Sequence, residues 1–495
     1  RPSRELFLKT DGTAENPIII DTYNTSTEPV VIKGSDLMDS GWSRVPDNPN
    51  SQTSTYTKNI WKRKIDDFPS SYPRYTQQAF IHFTSNFASD EDGHPLSQVG
   101  PINPTFISTQ DSNSIRRISK TIFDDTAPGN TASGIPYAGS FYYYWGQDYN
   151  EDSPNTVTNP QGFDKGYLYI RLHDFQPTDF DPSAFDPNID YSSGASDTGS
   201  IEVSVRSWVI LPKASHLAGE PHREYYEFHN LQFKHNNSSR SLIQLGSGGH
   251  LISTGPNSLV KNCVFAWGDH TGMALGFNSI AENCVFRDNG ALGAEGAEGA
   301  IIRRCTIEKN NERKFDYNNH AGGVKNYRWG TVTECVVQDN HGPGIWFDGI
   351  NTENTSVISN NLIIDNIDGI IFEISQNATI SNNIITGNKR RGVYLSQSRN
   401  AVVMHNTITG TELHIAVDLN GFPVAQPRKD KNGNIYYLED NLVYNNLISN
   451  NDGKDVFQIA DKNGSQRFVR VLTYLEGTLL CETQSQAHER VEIGK

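Results

Sequence analysis

From about residue 200 onward, polar and apolar positions follow one another in a four-residue unit that recurs along the chain. Each unit begins with a polar residue and ends with a larger apolar one. The units occupy 230–233, 262–265, 283–286, 304–307, 334–337, 360–363, 382–385, 405–408 and 445–448. Their second members are separated by 32, 21, 21, 30, 26, 22, 23 and 40 residues, which gives a base period of about 21–23. This period is too short for a helix pair and predicts the turns of a parallel β-helix.

The second position of most units holds a small residue, and these residues form a column when the turns stack. The column comprises Cys263, Cys284, Cys305, Cys335, Asn361, Asn383, Asn406 and Asn446. Cysteine packs there as a small apolar side chain, and stacked asparagine amides bond from turn to turn. The cysteines lack paired CxxC spacing and histidines in register, so we interpret the column as structural rather than as a metal site.

Another strand begins about ten residues after each of these small residues. The strands are 273–276, 294–297, 324–327, 345–348, 370–373 and 393–396. Side chains alternate along a strand, so the apolar first and third members point inward and the second and fourth point outward. The outward residues are Glu295, Lys325, Tyr327, Trp346, Asp348, Ile371, Glu373, Tyr394 and Ser396. Carboxylates, a lysine, aromatic rings and hydroxyls on one face predict a functional surface.

Asp348 and Glu373 occupy equivalent places on neighbouring turns and should stand side by side. Adjacent carboxylates repel, which favours one shared proton and an asymmetric pair. Glycoside hydrolysis uses such a pair, with one carboxylate ionised and the other holding a proton. Neighbouring strands start side chains about 5 Å apart, close to the carboxyl separation of retaining glycosidases. We therefore predict a glycoside hydrolase in which Asp348 and Glu373 act by a retaining mechanism.

The remaining residues of this face have predicted binding roles. Trp346 and Tyr394 would stack on sugar rings, while Tyr327, Glu295 and Arg391 would contact the substrate. The carboxylate pair also has structural interpretations, because it could share a structural cation or form ion pairs with Lys325 or Arg391.

Lys325 and His320 are further catalytic candidates, since they lie close together in the sequence near the predicted face. With Tyr327 or Tyr394 as the acid, they could abstract the proton beside a uronate carboxyl in a polysaccharide lyase or an epimerase. Alternatively, Lys325 is a salt-bridge partner of Glu295 or Asp348. A non-catalytic glycan-binding or surface β-helix protein is the third class left open.

The chain divides into four predicted parts around this repeat. They are a first coil or cap at 1–34, a β-rich insertion with a long loop at 35–199, β-helix repeats at 200–453 with inserted loops at 310–321 and 412–440, and a C-terminal cap at 454–495. The insertion is rich in aromatic residues, among them Trp42, Trp61 and the run 141–145. We interpret these as the insertion's own small core, with a sugar platform as the alternative.

Composition narrows the classes of partner. The 495 residues carry 42 Lys and Arg against 57 Asp and Glu, a net charge of −15. This charge argues against nucleic acid as a partner and disfavours a polyanionic substrate. No apolar run reaches the length of a membrane span, about 20 residues. We expect a mature secreted, extracellular or periplasmic protein that needs no cofactor. A structural Ca²⁺ among the acidic loops and the oligomeric state stay open.

Residues 220–450 resemble the right-handed parallel β-helix proteins of carbohydrate metabolism, which include pectin and alginate lyases, uronan epimerases and several glycoside hydrolase families. The Asn-Asn-x-Ile and Gly-Ile-x-Phe segments carry the resemblance and imply the fold. An Asp and a Glu on successive coils is similar to the β-helix β-xylosidase family, which implies Asp348 as nucleophile and Glu373 as acid/base. The Asp-Pro-His motif of alginate epimerases is absent. Lys325 is followed one turn on by Trp346, where the chondroitin and alginate lyase family has Arg.

Overall fold

The computed structural model describes the chain in segments, of which the longest runs without interruption from 250 to 410. The described residues are 6–8, 10–22, 30–38, 40–44, 60–65, 79–83, 94–95, 97–99, 117–118, 139–144, 166–172, 199–206, 209–211, 223–237, 250–410, 415–420, 438, 440–449, 457–460, 469–475, 478–483 and 491–493. Every helix or strand assigned within them is a β-strand. These residues contain no helix that is long and apolar enough to cross a membrane.

The strands fall into N-terminal, repeat and C-terminal groups. The N-terminal strands are β1 (Leu6–Phe7), β2 (Ile18–Asp21), β3 (Val30–Lys33), β4 (Ser35–Met38), β5 (Trp42–Arg44), β6 (Ile60–Lys64), β7 (Ala79–Phe83), β8 (His94–Pro95), β9 (Ser97–Val99), β10 (Arg117–Ile118), β11 (Gly139–Tyr144), β12 (Tyr167–Leu172), β13 (Gly199–Ser204) and β14 (Ile210–Leu211). The repeat strands are β15 (Tyr226–His229), β16 (Leu231–Lys234), β17 (His250–Ser253), β18 (Leu259–Lys261), β19 (Val264–Ala266), β20 (Thr271–Leu275), β21 (Ile280–Glu282), β22 (Val285–Arg287), β23 (Leu292–Gly296), β24 (Ala300–Arg303), β25 (Thr306–Glu308), β26 (Gly322–Asn326), β27 (Gly330–Thr333), β28 (Val336–Gln338), β29 (Ile345–Asp348), β30 (Ser356–Ser359), β31 (Leu362–Ile364), β32 (Asp368–Glu373), β33 (Gln376–Ser381), β34 (Ile384–Thr386), β35 (Arg391–Ser396), β36 (Arg399–Met404), β37 (Thr407–Thr409) and β38 (Ile415–Asn420). The C-terminal strands are β39 (Asn441–Ser449), β40 (Phe457–Ala460), β41 (Val469–Leu475), β42 (Thr478–Thr483) and β43 (Val491–Ile493).

Successive turns stack in parallel and build three faces of one coil. The first face, called face A, orders its strands β1-β14-β17-β20-β23-β26-β29-β32-β35-β38-β40. The second face runs from β15 through β18 and β21 to β36, and the third runs from β16 through β19 and β22 to β37. Both of these faces continue onto β39. Turns from β18 to β37 contribute one strand to every face, which confirms the predicted parallel β-helix.

The fourth member of each repeat unit lies inside the coil, as the alternation predicts. These residues are Phe233, Phe265, Phe286, Ile307, Val337, Ile363, Ile385, Ile408 and Ile448, and all are buried. The rings of Phe233, Phe265 and Phe286 stack with centroids 5.1 and 5.0 Å apart. Burying each such side chain contributes about 1.5–3 kcal/mol, so this column is a main source of stability.

The first member of each unit turns the chain from the second face to the third. It has a positive φ in every unit, for example 54° at Asn262 and 57° at Asn360. Asparagine tolerates this left-handed conformation better than most residues, which explains why the unit so often begins with it. The corner sends the second member inward.

The second position forms the predicted structural column. Cys263, Cys284, Cys305 and Cys335 are buried, and their thiols donate to backbone carbonyls. The column then becomes a ladder of amides, in which Nδ2 of Asn361, Asn383 and Asn406 lies 2.9–3.0 Å from Oδ1 of the next asparagine. A second ladder, which the sequence analysis missed, joins Asn289, Asn310, Asn340, Asn366 and Asn388.

The N-terminal segment and the insertion lie at the first turns. Strands β2 and β3 pair in parallel with β15 and β16. The insertion forms two smaller sheets, β4-β13-β7-β8 and β5-β6-β12-β11-β9-β10. Trp42 and Phe141 lie in a buried cluster with Leu168, Ile170 and Ile201, and Trp61 packs against it. These aromatic residues therefore form the insertion's own core, while Trp145 lies outside the described residues.

Two boundaries differ from the sequence analysis. Ile415–Asn420, inside the predicted loop 412–440, is strand β38 of face A and pairs in parallel with β35. Most of the remaining loop lies outside the described residues. Strands β40 and β41 also stack in parallel on the coil, which therefore extends past 453 before β42 and β43 add antiparallel strands. Strands β40 and β41 lack the Asn signature but keep an alternating sequence pattern, which is sufficient to continue a stack.

Candidate active site

The candidate site lies on the outer surface of face A. Ile345, Phe347, Ile370 and Phe372 are fully buried, so their neighbours along the strands point outward as predicted. Tight packing holds these strands in place. A Cβ on Gly369, for example, would lie 2.4 Å from the carbonyl oxygen of Gly392 on the next turn. Only glycine allows this close approach of two backbones.

Asp348 and Glu373 are direct neighbours on strands β29 and β32. The two residues are register partners, and Glu373 is in turn the partner of Ser396 on β35. Asn326 and Phe347 are register partners, and the next residues along the two strands are Tyr327 and Asp348. We call Tyr327, Asp348, Glu373 and Ser396 the carboxylate row. Adjacent strands are spaced by about 4.8 Å, so the two side chains leave the backbone about that far apart.

Lys325 lies against Asp348. Its Nζ is 3.0 Å from Asp348 Oδ2, and its side chain is only 3% exposed against 20% for Asp348. Nζ also donates to the carbonyl oxygen of Asn319. Burial lowers the pKa of Lys325, although the charges of Asp348, Glu373 and Glu295 oppose this effect. The lysine therefore sits near three carboxylates and acts as a charge partner, which was one of the predicted alternatives.

Trp346 is buried and does not present an open ring face to a sugar. The residue is only 4% exposed, although it occupies an outward position. Lys325 covers it, with Nζ 3.2 Å from the ring centroid. The long lysine stem folds back over the indole of the next turn and shields it from solvent. Ile371, the register partner of Trp346 on β32, is equally buried.

Arg391 and Tyr394 form a second charged group beyond Glu373. Arg391 Nε lies 2.8 Å from Asp368 Oδ1, and its Nη1 lies 3.2 Å from Asp418 Oδ2. Its guanidinium carbon lies 3.5 Å from the centroid of the Tyr394 ring. Burial raises the pKa of Asp418, and Arg391 partly offsets this. Arg391 thus pairs with these two aspartates rather than with the carboxylate pair.

The sequence analysis missed both of these aspartates. Asp368 is the register partner of Arg391, and Asp418 is that of Tyr394. The Asp368–Arg391 spacing of one turn was a usable signal, but Asp368 precedes the four-residue strand pattern that the analysis followed. Asp418 fell in a segment assigned to a loop.

Glu295, His320 and Tyr327 form a third group, on the side of Asp348 away from Glu373. His320 Nε2 lies 2.6 Å from Glu295 Oε1, and His320 Nδ1 lies 2.8 Å from the Tyr327 hydroxyl. His250 Nε2 is 3.7 Å from Glu295 Oε2, and the His270 ring stacks on His320 with centroids 5.4 Å apart. His250 and His270 were not among the predicted site residues, yet they complete this group.

The electrostatics of this third group follow from its burial. Burial alone would raise the pKa of Glu295, but the charge and hydrogen bond of His320 and the charge of His250 hold it well below the usual range. Burial and the neighbouring His320 lower the pKa of His270 well below its usual value. Burial and the charges of Glu295 and Asp348 raise the pKa of Tyr327. Glu295 is therefore ionised at neutral pH, and Tyr327 keeps its proton.

The inserted loop 310–321 borders the site at the N-terminal ends of the strands. Tyr317 lies under the guanidinium of Arg390, whose carbon is 4.7 Å from the ring centroid. Asn318 Oδ1 lies 3.4 Å from Nη1 of the same arginine. Since Arg390 directly precedes β35, the loop passes the turns that carry Asp348 and Glu373. Its last residues also contact Tyr327 through His320 and Lys325 through Asn319.

Metal ligands are not grouped in the part of the chain that the structure describes. No three or more His, Cys, Asp or Glu side chains in these segments are arranged to hold a metal ion.

Comparisons with known proteins identify the fold. A family model described as a right-handed β-helix region matches residues 222–355, and one described as the periplasmic copper-binding protein NosD matches residues 311–463. No curated protein matches the sequence significantly. The solved complex of XylC with xylose superposes with a TM-score of 0.60 at 14% identity, covering 91% of this chain and 70% of that chain. The chain therefore has the right-handed parallel β-helix fold.

Two further solved structures are more distant. One described as a glycoside hydrolase has a TM-score of 0.39 at 12% identity, over 92% of this chain and 86% of that one. The periplasmic alginate epimerase AlgG has a TM-score of 0.37 at 15% identity, over 53% and 64%. These superpositions are too loose to inform the function.

Proposed function

We propose that the protein is a glycoside hydrolase that cleaves oligosaccharides or polysaccharides at Asp348 and Glu373. The observation that carries the proposal is the register of these two partly exposed carboxylates on adjacent turns, with a buried lysine beside one of them. Two carboxylates and water suffice for glycoside hydrolysis, so the reaction needs no cofactor. A Ca²⁺ with a structural role would leave this chemistry unchanged.

The spacing favours a retaining mechanism. Adjacent strands start the two side chains about 4.8 Å apart, nearer the roughly 5–5.5 Å of retaining enzymes than the 6.5–9.5 Å of inverting ones. Asp348 would attack the anomeric carbon and form a glycosyl ester, while Glu373 gives its proton to the departing glycosidic oxygen. Water would then attack the anomeric carbon and break its bond to Asp348, as Glu373 takes a proton from that water and is ready to act as the acid again.

The neighbours of the pair support this division of roles. A nucleophile must be ionised and oriented, and the Lys325 ammonium at 3.0 Å serves both needs for Asp348. Glu373 faces the Ser396 hydroxyl, 3.5 Å from its Oε1. The charge of Lys325 also interacts with that of Glu373, but its ion pair is with Asp348, which favours Asp348 as the nucleophile and leaves the acid role to Glu373.

The charges around the pair favour a neutral sugar. Glu295, Asp348 and Glu373 surround one lysine, and the two arginines nearby are neutralised by Asp368 and Asp418. The xylose bound to XylC is a neutral sugar and agrees with this choice. Tyr327 and Tyr394 are half-buried and would supply hydroxyl and ring contacts. A secreted or periplasmic location suits an enzyme acting on glycans.

A glycan-panel digestion tests the proposal. Wild type, Asp348→Asn with Glu373→Gln, and Lys325→Ala are compared for new reducing ends and for the ultraviolet absorbance of unsaturated uronates. Reducing ends without absorbance, lost in the carboxylate variant, are the expected result. The anomer released first, followed by NMR, then separates retention from inversion.

A lyase or epimerase is the second candidate, because Lys325, His320 and Tyr327 lie together beside the carboxylate row. Absorbance that disappears with Lys325→Ala would overturn the hydrolase in favour of a lyase. Binding of a glycan that persists when both carboxylates are amides, with no cleavage in wild type, would instead indicate a binding protein.

A further inference from the structure

We propose that Glu295, His320 and Tyr327 form a chain of hydrogen bonds, called the proton chain, that determines whether the Tyr327 hydroxyl donates to Asp348. Protonation of His320 would switch the direction in which this hydroxyl donates. The consequence for catalysis rests on the proposed function, whereas the chain itself does not. All three would be positioning residues that act through Asp348.

The geometry limits how the hydrogens in this chain can be arranged. Glu295 is ionised and can only accept, so His320 Nε2, at 2.6 Å, must carry a hydrogen. In neutral His320 the other nitrogen, Nδ1, is then an acceptor, and the Tyr327 hydroxyl donates a hydrogen bond to it at 2.8 Å. In this state the tyrosine oxygen offers only lone pairs to its other neighbours.

Uptake of one proton at Nδ1 reverses the second hydrogen bond. His320 then donates to the Tyr327 oxygen, and the hydroxyl proton must turn to another acceptor. Asp348 is the neighbour of Tyr327 in the carboxylate row, and its charge already acts on the Tyr327 hydroxyl. A donor at this carboxylate stabilises its charge and makes it a weaker nucleophile. The switch needs only one solvent proton and one hydroxyl rotation.

The groups that face His320 carry charge of both signs. Glu295 on β23 accepts from His320 Nε2 at 2.6 Å. His270 on β20 stacks on the ring, and Arg313 from the inserted loop adds a positive charge near His270. The ammonium of Lys325 on β26 donates to the carbonyl oxygen of Asn319, the residue directly before His320. His250 on β17 reaches the group through Glu295. The groups around His320 thus come from four strands and the inserted loop.

NMR titration of the full-length protein tests the chain without any substrate. Histidine is labelled with ¹⁵N and tyrosine with ¹³C at Cζ, and both signals are followed against pH. The variants are Tyr327→Phe, which assigns the tyrosine signal, His320→Gln, Glu295→Gln and, as a matched control, His405→Gln. His405 is exposed at a corner of the coil and is remote in sequence from Glu295, His320 and Tyr327.

We expect neutral His320 to be the Nε2–H tautomer, with one midpoint shared by the His320 and Tyr327 signals. The Tyr327 transition should vanish in His320→Gln, move to lower pH by about one unit or more in Glu295→Gln, and stay unchanged in His405→Gln. A Tyr327 transition that survives His320→Gln, or an Nδ1–H tautomer, would overturn the chain.

Kinetics then connect the chain with the reaction. On a cleaved glycoside, the acidic limb of the kcat/KM profile should lose the shared midpoint in Tyr327→Phe. An acidic limb that is identical in Tyr327→Phe and wild type would overturn the positioning role. If no glycoside is cleaved, the proposed function fails, while the NMR result still decides the chain.

Discussion

Face A holds two carboxylate sites that differ in how completely their charge is satisfied. Glu295 is held by His320 at 2.6 Å and by His250 at 3.7 Å, so its charge is compensated from two sides. Asp348 has Lys325 at 3.0 Å but also has another carboxylate, Glu373, as its register partner. A compensated carboxylate supports its neighbours, whereas a carboxylate paired with another one remains available for chemistry.

The largest expected effect removes the Asp348–Glu373 pair. Glu373→Gln should lower kcat/KM by about 10²–10⁴-fold, the usual contribution of a general acid–base group, and Asp348→Asn by at least as much. Both effects are measured on a glycoside that wild type cleaves. Exposed Glu353, in the turn after β29, offers the control Glu353→Gln, which should retain wild-type activity.

Azide sharpens the same comparison. It can replace a missing nucleophile, so it should restore activity to the Asp348 variant through a glycosyl azide of inverted configuration relative to the product. Glu295→Gln should show no such rescue. Equal losses in Glu353→Gln and Glu373→Gln would remove the distinction on which the catalytic assignment depends.

Lys325 is the link between the two carboxylate sites, and its loss should have the next largest effect. Lys325→Met keeps the stem over Trp346 but removes the charge beside Asp348. The free energy of unfolding should fall by about 1–3 kcal/mol, less than for a fully buried pair because Asp348 keeps access to water. Denaturant unfolding measures this change.

Lys325→Arg provides the matching control for charge. The planar guanidinium does not fit the space between the indole and Asp348 as an ammonium does, so activity should recover only in part. Stability that is unchanged in Lys325→Met would show that the observed ion pair contributes nothing.

Glu295→Gln should make stability depend on pH in a defined direction. The pKa of Glu295 in the folded protein lies well below the usual 4.5, so its ionised form stabilises the fold above that pH. This contribution is lost as the pH falls through the depressed pKa. The difference in Tm between wild type and Glu295→Gln should therefore be largest above about pH 5 and shrink as the pH falls below about 4.5. A constant difference across this range would contradict the coupling.

The backbone of the candidate site could be predicted from the sequence, because register follows from local patterns. Alternation along 345–348 and 370–373, together with one turn between them, was sufficient to place Asp348 beside Glu373. The same logic gave the Asn ladder through Asn361 and Asn383. Period and alternation fix which face a residue occupies and which residue neighbours it.

Side-chain directions could not be predicted in the same way. Lys325 has four rotatable bonds, and register alone does not reveal that it folds over Trp346. The inserted loop brings His320 to Glu295, although 25 residues separate them, and no repeat encodes that path. Asp368 and Asp418 were missed for a related reason, since they lie outside the pattern of the repeat.

The smallest expected effect concerns Trp346, which register alone had assigned to the sugar site. Because Lys325 covers the indole, Trp346→Phe should leave KM within about twofold of wild type. It should also lower Tm slightly, through lost contact area and a weaker cation–π interaction. Tyr394→Leu is the informative counterpart, since Tyr394 is half-buried and lies on β35, the strand next to that of Glu373. Its KM should rise more than that of Trp346→Phe. A large rise in KM for Trp346→Phe would mean that substrate displaces the lysine and reaches the indole, and Lys325 would then be a mobile partner of Asp348.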